Sequence, residues 1–208
     1  MLNVGLTGGI ASGKSTVARM LTEKGALLID FDELAHAVQE PEGPVWREIV
    51  AHFGRDILGP DRAIDRRKLG SVVFGDREKL ELLNRLVHPA VFKEWQRRIA
   101  EIRAARPDAI VLSDIPLLFE ADLKSLVDLV LLVYIPPEEQ IRRLMARNDC
   151  SQDEATSRLA AQMPIDEKLP AADIVIRNDG SPEETRRAVN DLWEELQKRE
   201  RSLPEETC

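Results

Sequence analysis

Two kinds of apolar pattern divide this chain. Five segments are short and almost continuously apolar: 2–7, 26–30, 109–114, 127–135 and 173–177. Continuous runs of this length predict parallel strands covered on both faces, whereas half-exposed strands would alternate. Between them the apolar positions recur at helical spacing. A first helix is predicted from Lys14 to about Glu23, stopped by Gly25 as a C′ glycine. Pro136-Pro137 ends the fourth strand, and Glu138-Glu139 suits the start of a helix. Ser181 as N-cap and Pro182 at the first helical position open a last helix that runs to about Arg199.

Strands alternating with helices predict a doubly wound α/β sheet. Two connections are too long for plain crossovers: about 78 residues between strands two and three, and about 37 between strands four and five. The first carries helical stretches 45–53, 66–74, 77–86 and 89–106, with His88 placed at a helix start before Pro89. It reads as a helical substrate-binding insertion over 32–106. The second carries helical stretches 138–147 and 153–162 and reads as a basic lid over 138–168. Segments 1–31, 107–137 and 169–201 then form the nucleotide-binding core, and 202–208 a loose tail.

Composition narrows the class. The chain has 208 residues, 43% of them hydrophobic, enough for a substantial core. The longest apolar run, 126–135, is interrupted by Asp128 and falls short of the roughly 18 residues a membrane span needs. Met1 leads directly into the first strand, so no signal peptide is expected. Cys150 and Cys208 form no CxxC pair, which fits a reducing cytoplasm better than a disulfide framework or a zinc site, and Cys208 lies in no C-a-a-X box. A formal charge of −8 argues against a broad nucleic-acid surface but not against one polyphosphate site. Nothing in the pattern specifies an oligomeric state.

The candidate chemistry begins at Gly8-Gly9-Ile10-Ala11-Ser12-Gly13-Lys14-Ser15, which fits the phosphate-loop pattern G-x-x-x-x-G-K-[ST] in the required strand–loop–helix context. Glycines let backbone N–H groups turn toward phosphate oxygens, and the helix N-terminus adds about half an elementary positive charge. Lys14 can reach the β- and γ-phosphates of ATP, and the Ser15 hydroxyl can ligate Mg²⁺. The guanine-reading string N-K-x-D is absent, and Asp56-Ile57-Leu58-Gly59 matches D-x-x-G without a strand before it. Asp30-Phe31-Asp32 closes the second strand, at the carboxyl edge where open α/β sheets bind ligands. A hydroxyl acceptor benefits from a carboxylate that takes its proton, so these acids point to an alcohol kinase; a capping role for either remains the alternative. Asp114 ends an apolar strand, as a Mg²⁺-holding carboxylate does and as an ordinary turn residue also does. Arg143 and Arg147 share a helix face, either to clamp phosphates or, with Arg142, as a solvated face pairing with Glu138 and Glu139. His36 follows Asp32 by one helical turn, within reach of a substrate. Trp46, Trp95 and Trp193 read as core residues.

Taken together, the strings Gly5–Thr16, Ile29–Ala35, His52-Phe53-Gly54, Ile64-Asp65-Arg66, Leu86-Val87-His88-Pro89, Asp114–Glu120, Gln140–Arg147, Ala160-Ala161-Gln162 and Ala172–Gly180 resemble the dephospho-coenzyme A kinase family, in family order over about 2–180. The resemblance implies a P-loop kinase fold: a five-stranded parallel sheet flanked by helices, with a substrate insertion and a lid. It implies transfer of the ATP γ-phosphate to the ribose 3′-hydroxyl of dephospho-CoA, with Mg²⁺. It implies Asp32 as the hydroxyl-activating carboxylate, with Lys14 and Arg143 catalytic. ATP would lie on Gly8 through Thr16 (Gly8, Gly9, Ile10, Ala11, Ser12, Gly13, Lys14, Ser15, Thr16) with Arg143 and Arg147. The acceptor would meet Asp32, His36, His88 and Leu117, and the metal Ser15 and Asp114. Two positions depart from the family pattern. Ala11 replaces a usual glycine, tolerable where φ is negative; His36 replaces a common arginine. A kinase resembling shikimate kinase would share the P-loop and the paired acids, but a small ring needs no insertion of this size.

Overall fold

The computed structural model describes residues 1–203, so most of the expected tail 202–208, Cys208 included, lies outside the described residues. Strands β1 (Leu2–Gly8), β2 (Leu27–Asp30), β3 (Ile110–Asp114), β4 (Leu129–Tyr134) and β5 (Ile174–Arg177) form one sheet in the order β2-β3-β1-β4-β5. Every neighbouring pair is parallel, as the continuous apolar runs predict. At the carboxyl edge Asp114 lies in register with Leu6 on one side and with Asp30 on the other.

The chain divides into two units, Phe31–Ile102 and the remainder. In the sheet unit, α1 (Lys14–Thr22) and α9 (Pro182–Arg201) cover one face. Val17, Met20 and Leu21 of α1 and Val189, Leu192 and Leu196 of α9 cluster with alternate strand positions: Val4, Leu6, Leu112, Leu131 and Val133. The intervening Leu132 and Tyr134 cluster instead with Ile165. Burial on both faces is therefore the reason that these strands lack alternation. α1 ends in a Schellman turn: Ala26 N–H donates to Leu21 O (3.1 Å), Gly25 N–H to Thr22 O (3.0 Å), and Gly25 has φ +112°. Any other L-residue there would carry about 1–2 kcal/mol of left-handed strain.

After β4 come α6 (Pro137–Asn148), α7 (Gln152–Ala160) and the short α8 (Ile165–Lys168). Pro137 stands at the start of α6, and Ser181 caps α9 through a capping box with Glu184.

The second unit contains α2 (Phe31–Ala37), α3 (Pro44–Phe53), α4 (Arg66–Val73) and α5 (Arg77–Ala105), the last extending a few residues beyond it. Trp46 and Trp95 are buried, Trp46 donating to Arg62 O at 2.9 Å and Trp95 lying 6.2 Å from the Phe31 ring. One sequence expectation fails here. Pro89 does not separate two helices; α5 runs through it, so His88 lies mid-helix rather than at a helix start. An interior proline costs about 3 kcal/mol. Val87, Val91, Trp95 and Ile99 recur at four-residue spacing across it and are all buried. At about 1.5–3 kcal/mol per buried apolar side chain, that stripe outweighs the break.

Candidate active site

β1 runs out through Gly8 into the loop, and Gly13 (φ +86°) is the N-cap of α1. The Lys14 and Ser15 amides are first-turn donors that the helix itself leaves unpaired. Gly13 has no side chain to cap this terminus and no acid stands in its first turn, so its positive end is uncompensated by the helix's own residues. Ala11 does not meet the condition under which its methyl group would be free of strain: it sits at φ +59°, in the left-handed region. Ser12 Oγ is buried without a partner. Both are local costs carried at a phosphate loop, where backbone strain tends to concentrate.

Distant residues hold that loop. Asn178, just past β5, donates from Nδ2 to Ser12 O (2.8 Å) and accepts from Thr185 Oγ1 (2.8 Å). Arg143 Nη2 donates to Asn178 O (2.8 Å), and its Nη1 lies 3.9 Å from where a Gly13 Cβ would stand. Gln140 Nε2 donates to Ile10 O and Gln162 Oε1 accepts from Ile10 N–H, both at 3.0 Å. Sequence reasoning assigned no role to Asn178, Thr185, Gln140 or Gln162. The signal was present, since three of them stand inside family-matching strings.

Lys14 Nζ forms an ion pair with Asp114, whose side chain is only 6% exposed. This joins two predicted site residues across 100 positions of sequence. Thr7 Oγ1 donates to Pro116 O (3.2 Å), tying the loop after β3 to the end of β1. Leu117 in that loop is exposed, as is Ser15. On α6, Glu139 receives Arg142 at 2.6 Å and Arg143 at 2.6 Å. Hydrogen bonds from Arg142 and then Arg143 lower the Glu139 pKa to about 2. The solvated pairing thus exists, but Arg143 also reaches the loop, while exposed Arg147 bonds only its neighbour Asn148 (3.0 Å) among the described residues.

The helical unit holds the other predicted residues. Asp32 and His36 are exposed on α2, one turn apart and so on one face. His36 borders a cavity of about 380 Å³ lined also by Arg66, Leu69, Val73, Phe74 and Leu80. His88 stacks edge-on to Phe92 at 6.2 Å, and the partial burial lowers its pKa.

Hard oxygen donors from Ser15 and Asp114 suit Mg²⁺, which keeps waters and phosphate oxygens as its other ligands. No group of three or more His, Cys, Asp or Glu side chains able to hold a metal occurs among the described residues.

A parallel sheet whose central strand opens into a glycine loop, a lysine and a helix N-terminus defines a P-loop nucleotide-binding protein. The family model described as dephospho-CoA kinase matches residues 2–184, and the chain belongs to that family. It is 57% identical over 201 residues to the dephospho-CoA kinase of Syntrophus aciditrophicus, covering 97% of this chain and 86% of that one. Among solved structures, the Thermus thermophilus protein TT1252 matches with TM-score 0.80 at 37% identity, over 94% of this chain and 97% of that chain. The dephospho-CoA kinase of Campylobacter jejuni matches with TM-score 0.73 at 28% identity, over the same shares.

Proposed function

We propose how the residues of this chain divide the work of its family's reaction, the transfer of the ATP γ-phosphate to the ribose 3′-hydroxyl of dephospho-CoA that completes coenzyme A biosynthesis. The observation that carries the proposal is Lys14 held to Asp114 beneath an uncompensated helix N-terminus, with Arg143 against Gly13. The loop from Gly8 to Thr16 takes the ATP phosphates. Lys14 has three donors, so it can keep Asp114 and still meet a phosphate oxygen. Arg143, with Arg147 from the same helix, neutralises charge on the transferred group while the α6–α7 lid over 138–168 excludes water. Asp32 accepts the 3′-hydroxyl proton as the oxygen attacks; Asp30 is its competitor for that role. The helical unit 32–106 carries the acceptor, with Asp32, His36 and His88 contributing alongside Leu117. Ser15 and Asp114 would hold Mg²⁺, which would supply charge neutralisation to the phosphates when bound.

No helix among the described residues is long and apolar enough to cross a membrane. We read the chain as a cytoplasmic enzyme acting on a small molecule, and its formal charge of −8 supports the reading that its partner is not nucleic acid.

Incubation with ATP and dephospho-CoA, followed by mass and position analysis of the product, tests the reading. One phosphoryl group at the ribose 3′-oxygen is expected. ATP hydrolysis at the same rate without acceptor would mark a nucleotide switch instead and overturn it.

A further inference from the structure

The backbone of Ile10 is gripped on both of its polar groups. Its N–H donates to Gln162 Oε1 and its C=O accepts from Gln140 Nε2, each at 3.0 Å. Gln140 comes from the first turns of α6 and is 1% exposed; Gln162 stands just past the end of α7. The Gln140 amide nitrogen presses against Gly9: a Cβ on Gly9 would fall 1.9 Å from Nε2 and 3.3 Å from Ile165 Cδ1. Gly9 is not among the glycines with positive φ, so close approach and not backbone freedom requires it. The Gln162 side is anchored in turn. Met163 N–H donates to Glu120 Oε1 (3.1 Å), and the same oxygen accepts from Lys168 Nζ (2.7 Å), whose side chain is fully buried.

We propose that Gln140 and Gln162 are positioning residues for ATP: they fix the two consecutive peptide groups on either side of the Ile10 Cα between the two ends of the α6–α7 segment, so that this segment and the phosphate loop hold one geometry. This rests on the reading of the loop as the ATP phosphate site. A loop fixed before binding spares the nucleotide the cost of ordering it. The clamp therefore acts on ATP affinity and leaves the acceptor alone. The two bonds run in opposite directions, which gives the test its sign. Glutamate at 162 keeps the acceptor that Ile10 N–H needs; leucine does not.

Calorimetry with the β,γ-imido analogue of ATP reads the effect without turnover. Gln162→Leu and Gln140→Leu should each weaken the analogue about three- to tenfold, the scale of one net hydrogen bond, and the double variant should fall short of the product because both hold the backbone of the same residue. The KM for dephospho-CoA should stay within about twofold. Amide exchange of ligand-free protein should find Ile10 N–H protected in wild type and Gln162→Glu but not in Gln162→Leu. If Gln140→Leu does not fold, the half-buried Gln162 carries the test alone. Unchanged analogue affinity, an equal rise in both substrate constants, or Ile10 protection surviving in Gln162→Leu overturns the proposal. Failure of the underlying reading looks different: wild-type protein would not bind the analogue.

Discussion

The same fork occurs in both units of this chain. In the helical unit Glu94 holds Arg97 at 2.7 Å and Arg98 at 2.9 Å; in the sheet unit Glu139 holds Arg142 and Arg143 at 2.6 Å. The spacing is identical, an acid followed by arginines three and four residues on, and both carboxyls are held down to about pH 2 by their arginines. Arg143 alone of the four arginines has an observed tie to the phosphate loop, through Asn178. An i, i+4 pair by itself contributes only a few tenths of a kcal/mol and marks nothing. Function enters with the further partner, and that partner comes from 35 residues away. The contrast extends to the units themselves. The phosphate side is built from long-range hydrogen bonds, whereas the acceptor residues Asp32, His36 and His88 sit on helices, none of them buried.

The largest test asks whether so exposed a carboxylate does chemistry. Asp32→Asn should lower the turnover number by about 10²–10⁴ with little change in ATP affinity. Asp30→Asn is made in parallel; if it abolishes transfer while Asp32→Asn does not, the base is Asp30, and full activity in both refutes hydroxyl activation. Next, Lys14→Ala should cost about 10²–10³ in turnover while circular dichroism reports an intact fold, since one preorganised charged donor is lost. Near-wild-type turnover would reject its role. The forks themselves come third. Arg143→Ala should lower kcat/KM by about 10–100-fold, the scale of a charged hydrogen bond, against less than about twofold for Arg98→Ala. Equal effects would dissolve the distinction drawn between them.

Acid titration sharpens it further. Both glutamates have folded pKa values below the unfolded value of about 4.3, so each contributes stability that is complete above that pH and lost as pH falls toward 2. Glu139→Gln and Glu94→Gln should each flatten the acid limb of a stability–pH curve between about 4.5 and 2, while only Glu139→Gln changes ATP affinity. The smallest effect is at Ala11. Glycine there removes about 1–2 kcal/mol of left-handed strain but adds chain entropy, for a net gain of about 0.5 kcal/mol. A melting temperature that falls in Ala11→Gly would contradict the strain at φ +59°.

Local signals made much of this molecule legible. The phosphate loop, the strand cores, the Gly25 stop and the Ser181 cap each depend on residues within a few positions of one another. What failed depended on tertiary burial: Pro89 is a strong local breaker, outvoted by a stripe that only the folded unit buries. The φ of +59° at Ala11 is also a property of the folded loop that the residue type alone does not signal. The grip itself was illegible as geometry, since Gln140, Gln162 and Asn178 lie 130, 152 and 166 residues from the loop atoms they bond.

The strand order has a consequence for synthesis. β1 is made first but lies between β3 and β4. At about 5–20 residues per second, the roughly 100 residues before β3 take about 5–20 s to emerge. Through that interval β1, wholly buried in the folded chain, lacks both of its strand partners; α1, β2 and the helical unit are made meanwhile. The nascent chain thus carries a strand with two unpaired edges for about half of its translation, and this enzyme's yield in a cell should respond to ribosome speed and chaperone supply more than its final stability suggests.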